Sequence, residues 1–78
     1  MIVDVRTTNE FNNGHIKGSK NIPLNNLKGQ MDEFKKKGKP VITCCASGMR
    51  SGVAASQLKS AGIEAMNGGG WQSLNSVV

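Results

Sequence analysis

The stretch Cys44-Cys45-Ala46-Ser47-Gly48-Met49-Arg50-Ser51 lies between Pro40-Val41-Ile42-Thr43 and Gly52-Val53-Ala54-Ala55-Ser56-Gln57-Leu58. The preceding apolar run predicts a strand over Pro40 to Cys44. The following segment predicts a helix from about Ser51 to Ala61. A cysteine therefore stands at a strand end, before a loop of small residues and a helix start. The first N–H groups of a helix have no internal partner and carry partial positive charge. A small-residue loop can also turn successive N–H groups inward as an anion nest. Such surroundings lower a cysteine pKa from about 8.5 to roughly 3.5–7.5. The stretch thus reads as the setting of an activated thiolate.

Working back toward the N-terminus, Ile2-Val3-Asp4-Val5-Arg6 predicts a strand covered on both faces, as in a parallel sheet. Asp4 and Arg6 fall near its carboxyl end, where open α/β sheets gather ligands. They are candidates for orienting a ligand. The plainer role for Asp4 is to anchor loop N–H groups or to pair with an arginine. Thr7 or Thr8 can cap a short helical turn through Phe11, which Asn12-Asn13-Gly14 ends. His15 is the only histidine. Its glycine-flanked loop suits a structural histidine bonding backbone rather than a catalytic base.

Ile22-Pro23-Leu24 predicts an extended turn. From Asn25 or Asn26 to about Lys37, Leu24, Leu27, Met31 and Phe34 make one apolar helical stripe, weakened at Gly29 and stopped at Gly38. Beyond the central helix, Gly62 is its stop and Ile63-Glu64-Ala65-Met66 predicts a short strand. Gly68-Gly69-Gly70 predicts a loop and Trp71 opens a terminal helix. No dinucleotide fingerprint or phosphate-binding P-loop is present. Strands and helices alternate, so the expected class is α/β with a mainly parallel sheet, in a single domain over 1–78.

The 78 residues carry a net charge of +5, with Lys35, Lys36, Lys37 and Lys39 supplying much of the excess. That cluster reads as a solvated helix end. The three aromatics, Phe11, Phe34 and Trp71, do not interleave with basic residues, so no nucleic-acid partner is expected. No run approaches the roughly 20 apolar residues of a membrane span, and no secretory leader is visible. The expected compartment is the reducing cytoplasm, where thiols stay free. Adjacent cysteines and one distant histidine lack zinc-ligand spacing, so neither metal nor cofactor is expected.

Together these residues resemble a rhodanese-type domain, the fold of single-domain sulfurtransferases. The resemblance rests on Ile2-Val3-Asp4-Val5-Arg6, Glu10-Phe11, Gly14 to Leu24, Cys45 to Ser51, Ala54-Ala55 with Leu58 and Gly62, and Gly69-Gly70-Trp71. It implies a small parallel sheet flanked by helices. It also implies sulfane-sulfur transfer through a persulfide on Cys45, from a donor such as thiosulfate to cyanide or a cellular thiol. Ala46, Ser47, Gly48, Met49 and Arg50 would wrap the terminal sulfur with backbone N–H groups. Asp4, Arg6 and Ser51 are supporting candidates, with Arg50 expected to brace the loop against Asp4. The partners implied are a small anionic sulfur donor, or a protein donor, and a thiol acceptor.

The frame of the loop separates two chemistries. Counted from Cys45, the pattern is Cys-x-x-Gly-x-Arg-Ser, as in sulfurtransferases. Counted from Cys44, it matches the phosphatase or arsenate-reductase spacing, but Ser47 and Thr43 stand where that pattern expects glycine and histidine. Strand alternation sends Cys44 inward if Cys45 faces the loop. Cys44 then reads as a buried thiol, with a redox partner of Cys45 as the alternative. A non-catalytic persulfide carrier is the other functional alternative. Relative to the family, the chain starts at the Asp-Val-Arg strand, without the usual strand and helix before it. The expected sheet has an uncovered edge, in a monomer or an edge-paired dimer.

Overall fold

The computed structural model describes residues 1–78. The elements are β1 (Ile2–Asp4), α1 (Thr8–Asn12), β2 (Lys20–Asn21), a 3₁₀ segment (Leu24–Gln30), α2 (Met31–Lys37), β3 (Val41–Cys45), α3 (Met49–Ser60), β4 (Ala65–Gly70) and α4 (Trp71–Asn75). The four strands form one sheet in the order β2-β1-β3-β4, and every pairing is parallel. This is the α/β architecture expected, a small parallel sheet flanked by helices. Parallel pairing needs long crossovers, and each crossover here contains helix.

The core is built from alternate strand positions and one stripe of each long helix. Val3, Val5 and Val41 from the sheet meet Leu27, Phe34, Ala54 and Leu58 from the helices. Ala54 and Ala55, both buried, let α3 approach the sheet closely. The Leu27/Phe34 stripe is buried as its spacing predicts. The Lys35–Lys39 cluster is exposed at the α2 end. No helix is long and apolar enough to cross a membrane.

Four segments differ from the sequence expectation. The fourth strand is Lys20–Asn21, just before Ile22-Pro23-Leu24. Pairing continues past it, because Ile22 and Leu24 N–H groups donate to Asp4 and Val5 carbonyls at 2.9 and 3.1 Å. Pro23, with no N–H, interrupts the ladder between them. The helix expected through Lys37 is split into a 3₁₀ segment and α2. Gly29, a weak helix former, lies next to that junction. Helix α3 begins at Met49, so Met49 and Arg50 belong to its first turn rather than to the loop.

The largest difference is the triple glycine, which is strand and not loop. Residue pairing runs Thr43 to Asn67, then Cys45 to Gly70, so β4 carries an extra residue opposite β3. This is a β-bulge beside the strand end. Gly69 adopts φ +82° within it. A Cβ on Gly68 would lie 2.8 Å from the Thr43 carbonyl oxygen and from the Ile42 side chain. The glycines therefore serve close strand packing and the bulge.

Candidate active site

Cys45 ends β3 and Gly48 caps α3, with Ala46 and Ser47 between them. The cap needs a left-handed residue: Gly48 has φ +99°. A Cβ there would sit 3.2 Å from Gly69 Cα. Folded this way, the turn aims donors at the sulfur. The Gly48 N–H donates to Cys45 Sγ at 3.0 Å, and the Ser51 N–H does so at 3.4 Å. Ser51 Oγ stands 3.4 Å from the same sulfur. The Ser51 N–H is one of the first-turn donors that no helix carbonyl can satisfy.

These contacts govern the ionisation of Cys45. Burial pushes its thiol up, but the hydrogen bonds from Ser51, Gly48 and Ser47 outweigh burial and bring it down to about 7. A thiol near 7 is substantially ionised at neutral pH, and the thiolate is the nucleophile. Cys44 behaves oppositely. Burial, then the Asp4 carboxylate, push its thiol up to about 12. Both cysteines are free.

The structure brings Gly48, Ser51 and Ser47 to Cys45. Ala46, Met49 and Arg50 give no hydrogen bond to Sγ in this resting geometry. Met49 is 80% exposed, at the outer rim. The expected Arg50–Asp4 brace is not formed. Asp4 is buried and paired with Arg6 instead, through contacts of 2.7 to 3.0 Å that include the Arg6 backbone N–H. Arg6 continues to the Gly14 carbonyl at 2.7 Å and stacks over the Trp71 ring at 4.8 Å. Arg6 follows β1 by two residues, and the turn of its backbone N–H onto Asp4 Oδ1 brings the guanidinium to the same carboxylate. Asp4 and Arg6 thus join β1 to α4 and the Gly14 turn, with no contact to the sulfur.

Arg50 pairs with Glu10, a residue sequence reasoning passed over as a site residue. The guanidinium grips both carboxylate oxygens at 2.7 and 2.9 Å. The Arg50 hydrogen bonds, then the Thr7 N–H, hold the Glu10 carboxyl down at about 2. Thr7 and Glu10 form a reciprocal capping box at the start of α1. That spacing was readable, but the reach to Arg50, 40 positions away, was not. His15 bonds the Phe11 carbonyl at 2.8 Å and stacks on the Phe11 ring, so it is a structural histidine away from the sulfur.

A second missed residue is Asn67 on β4. Its side chain donates to the Gly48 carbonyl at 3.0 Å and accepts from Ser51 Oγ at 2.6 Å and the Gly69 N–H at 2.9 Å. No periodicity marks it, because the bulge that places it is hidden in a glycine run. A small cleft of about 130 Å³ opens between Arg50, Thr7, Leu24 and Asn25. The largest groove, about 800 Å³, runs along α3 from Met49 and does not include Cys45.

The Rhodanese-like domain family matches residues 1–75. Among curated proteins, the chain is 46% identical over 62 residues to the uncharacterized protein YqhL of Bacillus subtilis, covering 80% of this chain and 48% of that protein. It is 39% identical over 67 residues to the thiosulfate sulfurtransferase GlpE of Shewanella oneidensis, covering 82% of this chain and 62% of that protein. It therefore spans less than two thirds of either relative. Among solved structures, a rhodanese-like domain protein from Staphylococcus aureus superposes with a TM-score of 0.85 at 33% identity, covering 96% of this chain and 72% of that one.

Proposed function

Because this chain belongs to the rhodanese-like domain family, we propose that it transfers sulfane sulfur through a persulfide on Cys45. The observation that carries the reading is the sulfur of Cys45 held by the Gly48 and Ser51 N–H groups at a helix start, with its thiol near 7. Relatives named as sulfurtransferases support that class of activity.

In the first step the Cys45 thiolate attacks the outer sulfur of a donor such as thiosulfate. The new bond joins Cys45 Sγ to that sulfur, the donor's S–S bond breaks, and sulfite leaves with the electron pair. The negative charge passes to the outer sulfur of the persulfide. In the second step a thiolate or cyanide attacks the outer sulfur, the persulfide bond breaks, and Cys45 leaves as the thiolate. Splitting the transfer this way is two-step nucleophilic catalysis. On this reading the outer sulfur sits in the loop that begins with the Gly48 N–H on Cys45 Sγ, and the N–H groups of Ala46, Ser47, Met49 and Arg50 complete the nest around it. Fixed donors of this kind stabilise a developing negative charge without reorganising. Arg50 stays neutralised by Glu10, so the N–H groups carry most of the anion stabilisation.

A phosphatase or arsenate-reductase reading requires Cys44 as nucleophile. Burial and the neighbouring Asp4 carboxylate push the Cys44 thiol up to about 12. It is therefore protonated at neutral pH, and the reading is not favoured. The chemistry also fits a carrier that receives sulfur from a protein donor. Mass spectrometry after incubation with thiosulfate tests the proposal. A gain of about 32 Da, one sulfur atom, confined to the peptide with Cys45 and absent from Cys45→Ala, is expected. No gain with thiosulfate, or with a persulfidated protein donor, would overturn it. Gain from the protein donor alone would assign the carrier role.

A further inference from the structure

Asn67 touches both arms of the sulfur nest without touching the sulfur. It stands opposite Thr43, at the last regular pair before the bulge. Its Nδ2 donates to the Gly48 carbonyl at 3.0 Å. Its Oδ1 accepts from Ser51 Oγ at 2.6 Å and from the Gly69 N–H at 2.9 Å. Gly48 and Ser51 are the residues whose N–H groups hold Cys45 Sγ.

The Ser51 hydroxyl has one proton and two acceptors within reach. Asn67 Oδ1 is at 2.6 Å and Cys45 Sγ at 3.4 Å. While Cys45 is a thiol, its S–H can donate to Ser51 Oγ, whose own proton goes on to Asn67. All three groups are then satisfied in one chain. Once Cys45 ionises, the Ser51 hydroxyl can add to the backbone donors on the thiolate only by turning its proton to sulfur and giving up Asn67. We propose that Asn67 is a positioning residue that competes with the Cys45 thiolate for the Ser51 proton, and so holds back ionisation of the empty site. On the persulfide reading above, on which this functional consequence rests, the inner sulfur of the loaded form carries no charge. Ser51 then returns to Asn67, and Asn67 favours the loaded form over the empty thiolate.

The other ionisable groups around Cys45 are Cys44 on β3, Arg50 on α3 with its partner Glu10 on α1, and the Asp4–Arg6 pair of β1 and its following loop. Strand β4 and helix α4 contain no titratable side chain. Replacing Asn67 by alanine therefore changes no charge. It removes a hydrogen-bonding dipole from a surface position.

The test is titration of the Cys45 thiolate by its ultraviolet absorbance in the full chain, with no sulfur donor present. Asn67→Ala is expected to lower the midpoint by about half a pKa unit or more, roughly threefold in thiolate below the midpoint. In a Ser51→Ala background the same substitution is expected to move nothing. If Asn67 only braces the loop through Gly48, losing it takes a donor from the sulfur and raises the midpoint. A raised or unmoved midpoint overturns the proposal, as does an equal downward shift without Ser51. If Asn67→Ala does not fold, Asn67→Asp keeps Oδ1 and adds charge. Its midpoint must then rise more with Ser51 present than with Ser51→Ala, and equal rises overturn the proposal. Mass spectrometry of sulfur uptake is read separately. A chain that titrates as expected but takes no sulfur refutes the persulfide reading and leaves the Asn67 competition standing.

Discussion

Cys44 and Cys45 are consecutive on one strand and equally covered, each with no exposed surface. Yet one thiol is driven up to about 12 and the other brought down to about 7. Burial explains the rise of Cys44 but not the fall of Cys45, because it raises both. What differs is the company each sulfur keeps. Strand alternation sends the two side chains to opposite faces. Cys44 lies buried outside the main apolar cluster, beside the Asp4 carboxylate, whereas Cys45 packs within that cluster. Cys45 meets the N–H groups of Gly48 and Ser51. At neutral pH Cys45 is therefore substantially ionised while Cys44 keeps its proton. Reactivity here is set by hydrogen-bond donors organised at a helix start, and a single residue step decides it.

The most forceful way to break the comparison is to remove each sulfur in turn. Cys45→Ala is expected to abolish sulfur uptake, while Cys44→Ala keeps it and costs stability of about 1 kcal/mol. Mass spectrometry with thiosulfate and a urea melt read the two effects. Uptake lost in Cys44→Ala, with the fold intact, would show that the inner cysteine takes part in the chemistry. Next in size is Gly48→Ala. Its φ of +99° costs a side chain about 1–2 kcal/mol, and the new Cβ would press on Gly69. Relief of that strain swings the Gly48 N–H off the sulfur. The Cys45 midpoint should rise and sulfur uptake fall by roughly tenfold, on the scale of one charge-assisted hydrogen bond. An unchanged midpoint would mean that Ser51 alone sets the ionisation.

The two thiols also pull stability in opposite directions with pH. Cys45 falls from its ordinary 9.0 to about 7 in the fold, so its contribution is full above pH 9 and is lost as pH falls through 7. Cys44 rises from 9.0 to about 12, so its contribution is full below pH 9 and is lost as pH rises toward 12. The thermal midpoint of the Cys44→Ala chain should therefore hold better in alkali than that of the unaltered chain. The midpoint of Cys45→Ala should lack the gain between pH 7 and 9. Parallel profiles for all three chains would contradict the opposite displacements.

Much of this contrast was legible in the sequence, because it rests on local rules. The run Pro40 to Thr43 reads as a strand, the small residues after Cys45 as a turn, and alternation separates the cysteines. The apolar stripe of Leu27 and Phe34 reads correctly through a region that is 3₁₀ in its first half, since both helix types bury one face. Partners set by tertiary geometry were not legible. The choice of Arg50 for Asp4 overlooked Arg6, two residues on, just past the end of β1. Glu10 stands at capping-box spacing from Thr7, a signal the cap reading did not use, and its grip on Arg50 spans 40 positions of chain. Asn67 was hidden by the bulge, because a glycine run carries no side-chain period from which to read which way its neighbours point.

The Glu10–Arg50 pair offers the finest test of what governs Cys45. Arg50 follows the loop in the first turn of α3, so its charge is a rival explanation for the low thiol. Its guanidinium is occupied on both oxygens of Glu10, and the two side chains remain more than one-third exposed. Solvent screening makes such a pair weak. Glu10→Gln removes the counter-charge and leaves Arg50 in place. The Cys45 midpoint is expected to move by less than about half a pKa unit, because the N–H groups keep their aim. The acid limb of stability should respond instead. Glu10 is held down at about 2 against an ordinary 4.5, so its contribution is present above pH 4.5 and lost as pH falls through 2. Thermal midpoints of the two chains should differ slightly at neutral pH and converge near pH 2. A large shift in the Cys45 titration would instead make the arginine, rather than the backbone, the source of the difference between the two cysteines.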